Sequence, residues 1–160
     1  SMDFHSRFSS KGKKYKYLIY NSRMPSALLR NRAALVHLPL DVEAMKEALP
    51  YFLGTHDFSA FKASGSDAKT SVRTITGISL KETDSTITGS GKNGSRLLEL
   101  EISGDGFLYN MVRIIAGTLI YVGSGRIKSD DIPSIIESRD RTRAGKTAAA
   151  HGLYLVEVYF

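Results

Sequence analysis

The sequence has no cysteine and no tryptophan, and only four prolines in 160 residues. Without cysteine there can be no disulfide, no thiolate zinc site and no sulfur nucleophile, and a cytoplasmic setting is the expectation. No basic leader followed by an apolar run opens the chain. The most apolar stretch, 107–122, covers about 15 helical residues, or roughly 22 Å, against a membrane core of about 30 Å. It is not read as a membrane span. Four histidines occur, His5, His37, His56 and His151, and no two stand at metal-ligand spacing. In "THDF", His56 and Asp57 are adjacent and do not face each other on a helix or strand, so His56 is expected in a turn or capping role. The sequence has no phosphate-binding loop, because the glycines of "TGSGKNGS" sit between two strand-like segments and make a hairpin turn. No cofactor and no metal are expected.

What the chain does have is ordinary globular composition, 42% hydrophobic and 24% charged. Ser1 and Met2 read as an expression remnant, leaving 3–160 as a single domain. "KKYKYLIYN" alternates as a strand, with Lys13, Tyr15, Tyr17 and Ile19 on one side and Lys14, Lys16, Leu18 and Tyr20 on the other. A proline-containing loop without clear period follows, to about Leu40. Asp41 is the expected N-cap of a helix with Val42, Met45 and Leu49 as its inner stripe. "HDFSAFKA" reads as a short helical turn. "VRTITGISLKETDSTI" and "RLLELEISG" read as antiparallel strands, the second with Leu98, Leu100 and Ile102 inward and Glu99 and Glu101 outward. Leu108, Val112, Ile115, Leu119 and Val122 fall at helical spacing. Ser129 is the expected cap of a further helix, and "LYLVEVYF" closes the chain as a strand. The order β-α-β-β-α-α-β predicts an α+β fold, an antiparallel sheet with helices packed on one face.

The charge is uneven. Residues 1–40 carry eight cations against the single acid Asp3, a net +7, so the rest of the chain sums to −1. A basic end of this kind is the footprint of a polyanion binder, with a solubilising face as the alternative. Within it, Tyr15 stands among Lys11, Lys13, Lys14 and Lys16. That pattern suits either a strand aromatic in contact with its neighbours or a platform for an unstacked base with lysines on phosphates.

Arg113 is the clearest anomaly. It lies mid-way along a nearly all-apolar helix, and a guanidinium cannot shed its charge, so burial demands a partner. Asn110, Arg113 and Gly117 form one narrow polar or small stripe. Either Arg113 pairs with an internal acid such as Asp57 or Asp105, or it points into a cleft and holds an anion.

Four ordered segments, "FHSRFSSKGKKYKYLIYN", "LGTHDFSAF" with the later "RTI", "GFLYNMVRIIAGTLIYVGSG" and "TAAAHGLYLVEVYF", resemble the C-terminal half of the TruA-type tRNA pseudouridine synthases. The resemblance covers nearly the whole chain and agrees with the α+β reading. It implies that Arg113 pairs with the family's catalytic Asp, that Tyr15 stacks on the target uracil and is placed to take a proton from C5, and that Leu153 lines the uracil pocket. Asn110, one helical turn before Arg113, joins them as a substrate-binding candidate. It also implies uridines of the tRNA anticodon stem-loop as substrate, a homodimeric parent, tRNA phosphates on the basic segment, and no cofactor. The family's Arg-Thr-Asp motif, whose Asp is the nucleophile, does not occur here. The chain therefore resembles a half whose N-terminal partner is absent, and it is expected to be inactive alone. A stand-alone RNA-binding module is the alternative, and a structural interaction domain a second.

Overall fold

The computed structural model describes residues 11–65, 69–83 and 95–160. Among these residues six strands form one sheet: β1 (Gly12–Asn21), β2 (Ala34–Val36), β3 (Gly54–Asp57), β4 (Val72–Thr83), β5 (Arg96–Gly104) and β6 (Leu153–Tyr159). Three α-helices pack against it: α1 (Val42–Ala48), α2 (Met111–Gly123) and α3 (Ile132–Ser138). Residues 88–94 of the "TGSGKNGS" turn, the end of the strand before it, and Arg7 lie outside the described residues.

The strand order is β2-β1-β5-β4-β3, with β6 also on β1. β1 is the hub. One edge pairs along its length with β5. The other edge is shared, with Gly12 to Tyr17 against β6 and Ile19 to Asn21 against β2. The β1–β2 pairing is parallel, so the sheet is mixed rather than wholly antiparallel. Two strands depart from the sequence reading. β2 is three residues long, too short to display a period of two. β3, Gly54–Asp57, takes the first two residues of the segment 56–63 where a helical turn was expected; within it only Ser59–Phe61 forms one, as a 3-10 turn. Phe58 and Phe61 are fully buried beside it.

The alternating strand residues behave as their pattern requires. Tyr17, Ile19, Leu98, Leu100 and Ile102 are fully buried against the helices. Asp41 caps α1, its carboxylate accepting from the Ala44 N–H at 3.1 Å, and Val42, Met45 and Leu49 enter the core. The α2 stripe of Leu108, Val112, Ile115, Leu119 and Val122 is buried as spaced. Ser129 does not cap α3. It opens a 3-10 turn, Ser129–Asp131, and the Asp131 carboxylate accepts from the Lys128 N–H at 3.4 Å.

One loop fixes the surroundings of Arg113. Residues 144–150 run directly over the N-terminal half of α2. A Cβ at Gly117 would sit 1.6 Å from the Lys146 carbonyl oxygen, and one at Gly145 would sit 2.6 Å from Thr118 Cα. Only glycine permits backbones to approach this closely. The Thr118 hydroxyl accepts from the Gly145 N–H at 2.8 Å, while Arg141 donates to the Gly145 carbonyl and the Thr147 hydroxyl.

Candidate active site

Tyr15, Asn110, Arg113 and Leu153 line one cleft of about 290 Å³, together with Phe107, Tyr109 and others. Three elements build it: the middle of β1, the start of β6 and the head of α2. Tyr17 pairs with Leu153 and Tyr15 with Leu155, so Leu153 and Tyr15 are diagonal neighbours on one sheet face. A register shift in β6 falls beside Tyr15, between its pairing and that of Lys14. Bulges of this kind re-aim side chains. Phe107 meets the Tyr15 ring edge-to-face, centroids 5.2 Å apart at 88°. Burial raises the Tyr15 phenol above its ordinary value, so the hydroxyl holds its proton at neutral pH.

Arg113 is half-buried at the back of this cleft. Its Nε donates to the Ala148 carbonyl at 2.8 Å and one terminal nitrogen to Asn110 Oδ1 at 3.1 Å. The Arg113 carbonyl in turn accepts from the Ala148 N–H at 3.0 Å, so one loop residue grips both ends of the arginine. Tyr17 secures that loop, its hydroxyl donating to the Ala149 carbonyl at 2.6 Å. Burial pushes the Tyr17 phenol up to about 12, against a smaller opposing pull from Arg113. Asn110 adopts the left-handed conformation, φ 60°, at the N-cap of α2. Asparagine tolerates that conformation better than most side chains. There it turns its amide oxygen onto the guanidinium, so it orients Arg113 rather than simply lining a substrate pocket.

No carboxylate among the described residues lies in ion-pair reach of Arg113. Both acids weighed from the sequence are engaged elsewhere. Asp57 accepts from the Ser59 hydroxyl and N–H and pairs with Arg139 at 3.3 Å, and these contacts, the Ser59 hydroxyl first, hold its carboxyl below the usual range. Asp105 accepts from the Thr74 N–H at 2.9 Å. The guanidinium thus spends two donor groups on neutral acceptors and presents the remainder to the cleft, beside the positive end of α2. This arrangement can receive an anion.

The lysines of β1 divide between the two faces of the sheet. Lys13 shares the parity of Tyr15. Lys14 and Lys16 point to the opposite face, where they pair with Glu101 at 3.1 Å and Glu99 at 3.7 Å. Lys16 also stands 5.6 Å from the centroid of Tyr154. Lys11 is exposed just before the strand. His56, expected in a turn or capping role, lies in β3 opposite Arg73, and its Nε2 hydrogen-bonds the Leu53 carbonyl at 2.7 Å. Among the described residues no group of three His, Asp or Glu side chains is placed to hold a metal ion, and no helix is long and apolar enough to cross a membrane. A larger hollow, about 720 Å³, lies between α1 and the segment after α2. Asp41, Glu47 and Asp130 against Lys128 line it, a poor match for a polyanion.

Ala148, Tyr17, Phe107 and Tyr109 were not singled out from the sequence as site residues. Ala148 acts through its backbone and leaves no side-chain signal. Phe107 and Tyr109 were legible only as neighbours of Arg113 in the "GFLYNMVR" segment.

The family model described as tRNA pseudouridine synthase matches residues 48–160. Curated proteins named tRNA pseudouridine synthase A align across nearly the whole chain, Tyr15 included. That of Acetivibrio thermocellus is 62% identical over 159 residues, 99% of this chain and 61% of its own length. That of Ruminiclostridium cellulolyticum is 51% identical over 158 residues, 99% and 60%. That of Bacillus subtilis is 44% identical over 157 residues, 98% and 59%. The chain therefore spans about three fifths of the length of the curated relatives it matches. With the matched segment containing Asn110, Arg113 and Leu153, the chain belongs to the tRNA pseudouridine synthase family.

Proposed function

We propose that this chain is the C-terminal half of an enzyme that converts uridine to pseudouridine in the anticodon stem-loop of tRNA. The observation that carries the reading is Arg113: fixed by Ala148 and Asn110, open to the cleft, and without a carboxylate partner among the described residues. The missing anion is the nucleophilic Asp of an Arg-Thr-Asp motif on an N-terminal half. An arginine at that position keeps the carboxylate ionised and aimed.

The chemistry is an isomerisation, so atoms balance without a cofactor. The target uridine leaves the loop stack and enters the cleft, which has room for one base. Tyr15 takes one face of the uracil and Leu153 supplies an apolar wall. The Asp opens the covalent route. The bond from the sugar to N1 breaks, the base turns and the sugar bonds to C5; the C5 proton passes to solvent, N1 takes one up, and the bond to the Asp is released, so substrate and product are isomers and the Asp is regenerated. The raised pKa of Tyr15 argues for a neutral hydroxyl, which stacks well and is a weak base. Lys11 and Lys13 serve the phosphate backbone; Lys14 and Lys16, already paired with glutamates, contribute less. Affinity for tRNA falls steeply with salt. The parent acts as a homodimer in the cytoplasm, and this chain alone is inactive.

The test is tritium release from tRNA labelled at uridine C5. No release from the chain alone and release once an N-terminal half is added is the expected pair of results. Release from the chain alone places a nucleophile within these 160 residues and overturns the reading.

A further inference from the structure

Among the described residues, Tyr109 is the one aromatic side chain lining the cleft that stands in solvent, 60% exposed. Its ring makes no ring contact and its hydroxyl no hydrogen bond among the described residues. Its backbone, in contrast, is pinned. The Tyr109 carbonyl accepts from the Ala63 N–H at 3.1 Å, and Met111 N–H closes a turn on the Leu108 carbonyl at 3.0 Å. Leu108 before it is buried, and Asn110 after it is held at φ 60° by its place at the head of α2. The short segment 107–109 thus assigns three consecutive side chains to three positions: Phe107 against Tyr15 inside the cleft, Leu108 in the core, and Tyr109 at the mouth.

A single exposed tyrosine needs no explanation on an ordinary surface. This one borders the opening through which a base must pass. Drawing a nucleotide out of a stack removes one stacking partner from each base beside it. A ring on a rigid root at the mouth replaces that partner at little entropic cost, because tyrosine has only two side-chain torsions to fix. We infer that Tyr109 is a second stacking platform, which binds the base adjacent to the target nucleotide while Tyr15 holds the target itself. The inference rests on the reading of the cleft as a uracil site and adds to it a subsite for a neighbouring nucleobase.

Two probes separate the subsite from the cleft: the trinucleotide ApUpA, and the same trinucleotide with abasic sugars at both flanks, which keeps every phosphate. Each is titrated into the chain by NMR, following Tyr15, Leu153 and Tyr109. Both should shift Tyr15 and Leu153, and ApUpA should bind more tightly by about 5- to 150-fold, the usual range for one stacked base. Tyr109→Ala should abolish that preference and Tyr109→Phe should keep it. Thermal unfolding of both variants should match the wild type, since the ring is exposed. A preference for ApUpA that survives Tyr109→Ala, with Tyr15 and Leu153 still responding, overturns the subsite and leaves the uracil cleft standing. Loss of the preference in Tyr109→Phe shows a hydroxyl contact instead of stacking, and also overturns it. If neither probe moves Tyr15 or Leu153, the uracil reading fails and takes the subsite with it.

Discussion

Replacing Tyr17 by Phe removes one oxygen atom and should produce a pH-dependent stability defect. The Tyr17 side chain is fully buried, and its hydroxyl donates to the carbonyl of the exposed Ala149 at 2.6 Å in a part-buried hydrogen bond. Stranding a buried acceptor costs about 1–3 kcal/mol. Here the lower end applies, because Ala149 is exposed and its carbonyl keeps a second, longer contact from the Gly152 N–H at 3.4 Å. At about pH 8 the variant should therefore be less stable by about 1 kcal/mol. The alkaline side supplies the sharper test. The folded Tyr17 has its pKa pushed up to about 12 from an ordinary 10.0. The unfolded state thus loses its proton first, and the contribution of Tyr17 is complete below the unfolded value and disappears as pH rises through the folded one. By pH 11 the loss amounts to about 1.4 kcal/mol, roughly a factor of ten in the folding equilibrium. Urea unfolding of both proteins, with the difference taken at each pH, cancels the other titrating groups. The gap seen near pH 8 should close before pH 11 and be slightly reversed there. A gap that stays constant across that range would show that Tyr17 is not a buried, proton-retaining clamp.

Gly117→Ala drives a methyl group into the Lys146 carbonyl. It should cost about 1–3 kcal/mol or more in unfolding free energy, since backbone on both sides resists displacement; an unchanged melting temperature refutes the close approach of the loop. In an enzyme assembled with an N-terminal half, Tyr15→Phe should retain most turnover if stacking is the role of the ring, and a pH profile lacking an alkaline limb from Tyr15 goes with it; loss of turnover by orders of magnitude assigns the hydroxyl a proton-transfer role. In the same assembly Arg113→Ala should abolish turnover while sparing much of the tRNA binding. Arg113→Lys keeps the charge but not the planar fork, and its kcat should fall by about 10- to 100-fold, the worth of one charge-assisted hydrogen bond; near-normal turnover in either variant removes Arg113 from the mechanism.

The parts of the fold written in side-chain periodicity were legible in advance. The inward Leu98, Leu100 and Ile102, the α2 stripe and the Asp41 cap all follow from local spacing, and each is where the spacing put it. β2 and β3 were not legible, because three or four residues do not establish a period and their pairing is set by β1 and β4 from a distance. The lysines show a subtler limit. Alternation alone placed Lys14 and Lys16 opposite Tyr15, and alternation in β5 placed Glu99 and Glu101 outward. What no single strand reveals is the β1–β5 register that brings these charges together. The loop over α2 is the extreme case. Its working atoms are the carbonyls of two alanines, and the only sequence trace of their role is the pair of glycines, Gly117 and Gly145, that clear the path.

On the proposed reading, Arg113 shows how one half of a divided site is stored. A half-buried cation with no anion is normally a liability, and two devices make it tolerable here. Ala148 and Asn110 satisfy part of its donor set with neutral acceptors, so the guanidinium is oriented without being discharged. The open cleft leaves the remaining N–H groups to water. Had a carboxylate within reach been supplied instead, an ion pair would have formed and would have had to break before any incoming anion could bind. Asp57 and Asp105, the acids weighed from the sequence, are each held by other donors. The neutral frame therefore keeps the full charge of Arg113 available, and a carboxylate entering the cleft, as the proposed function requires, gains the whole interaction rather than the difference between two partners.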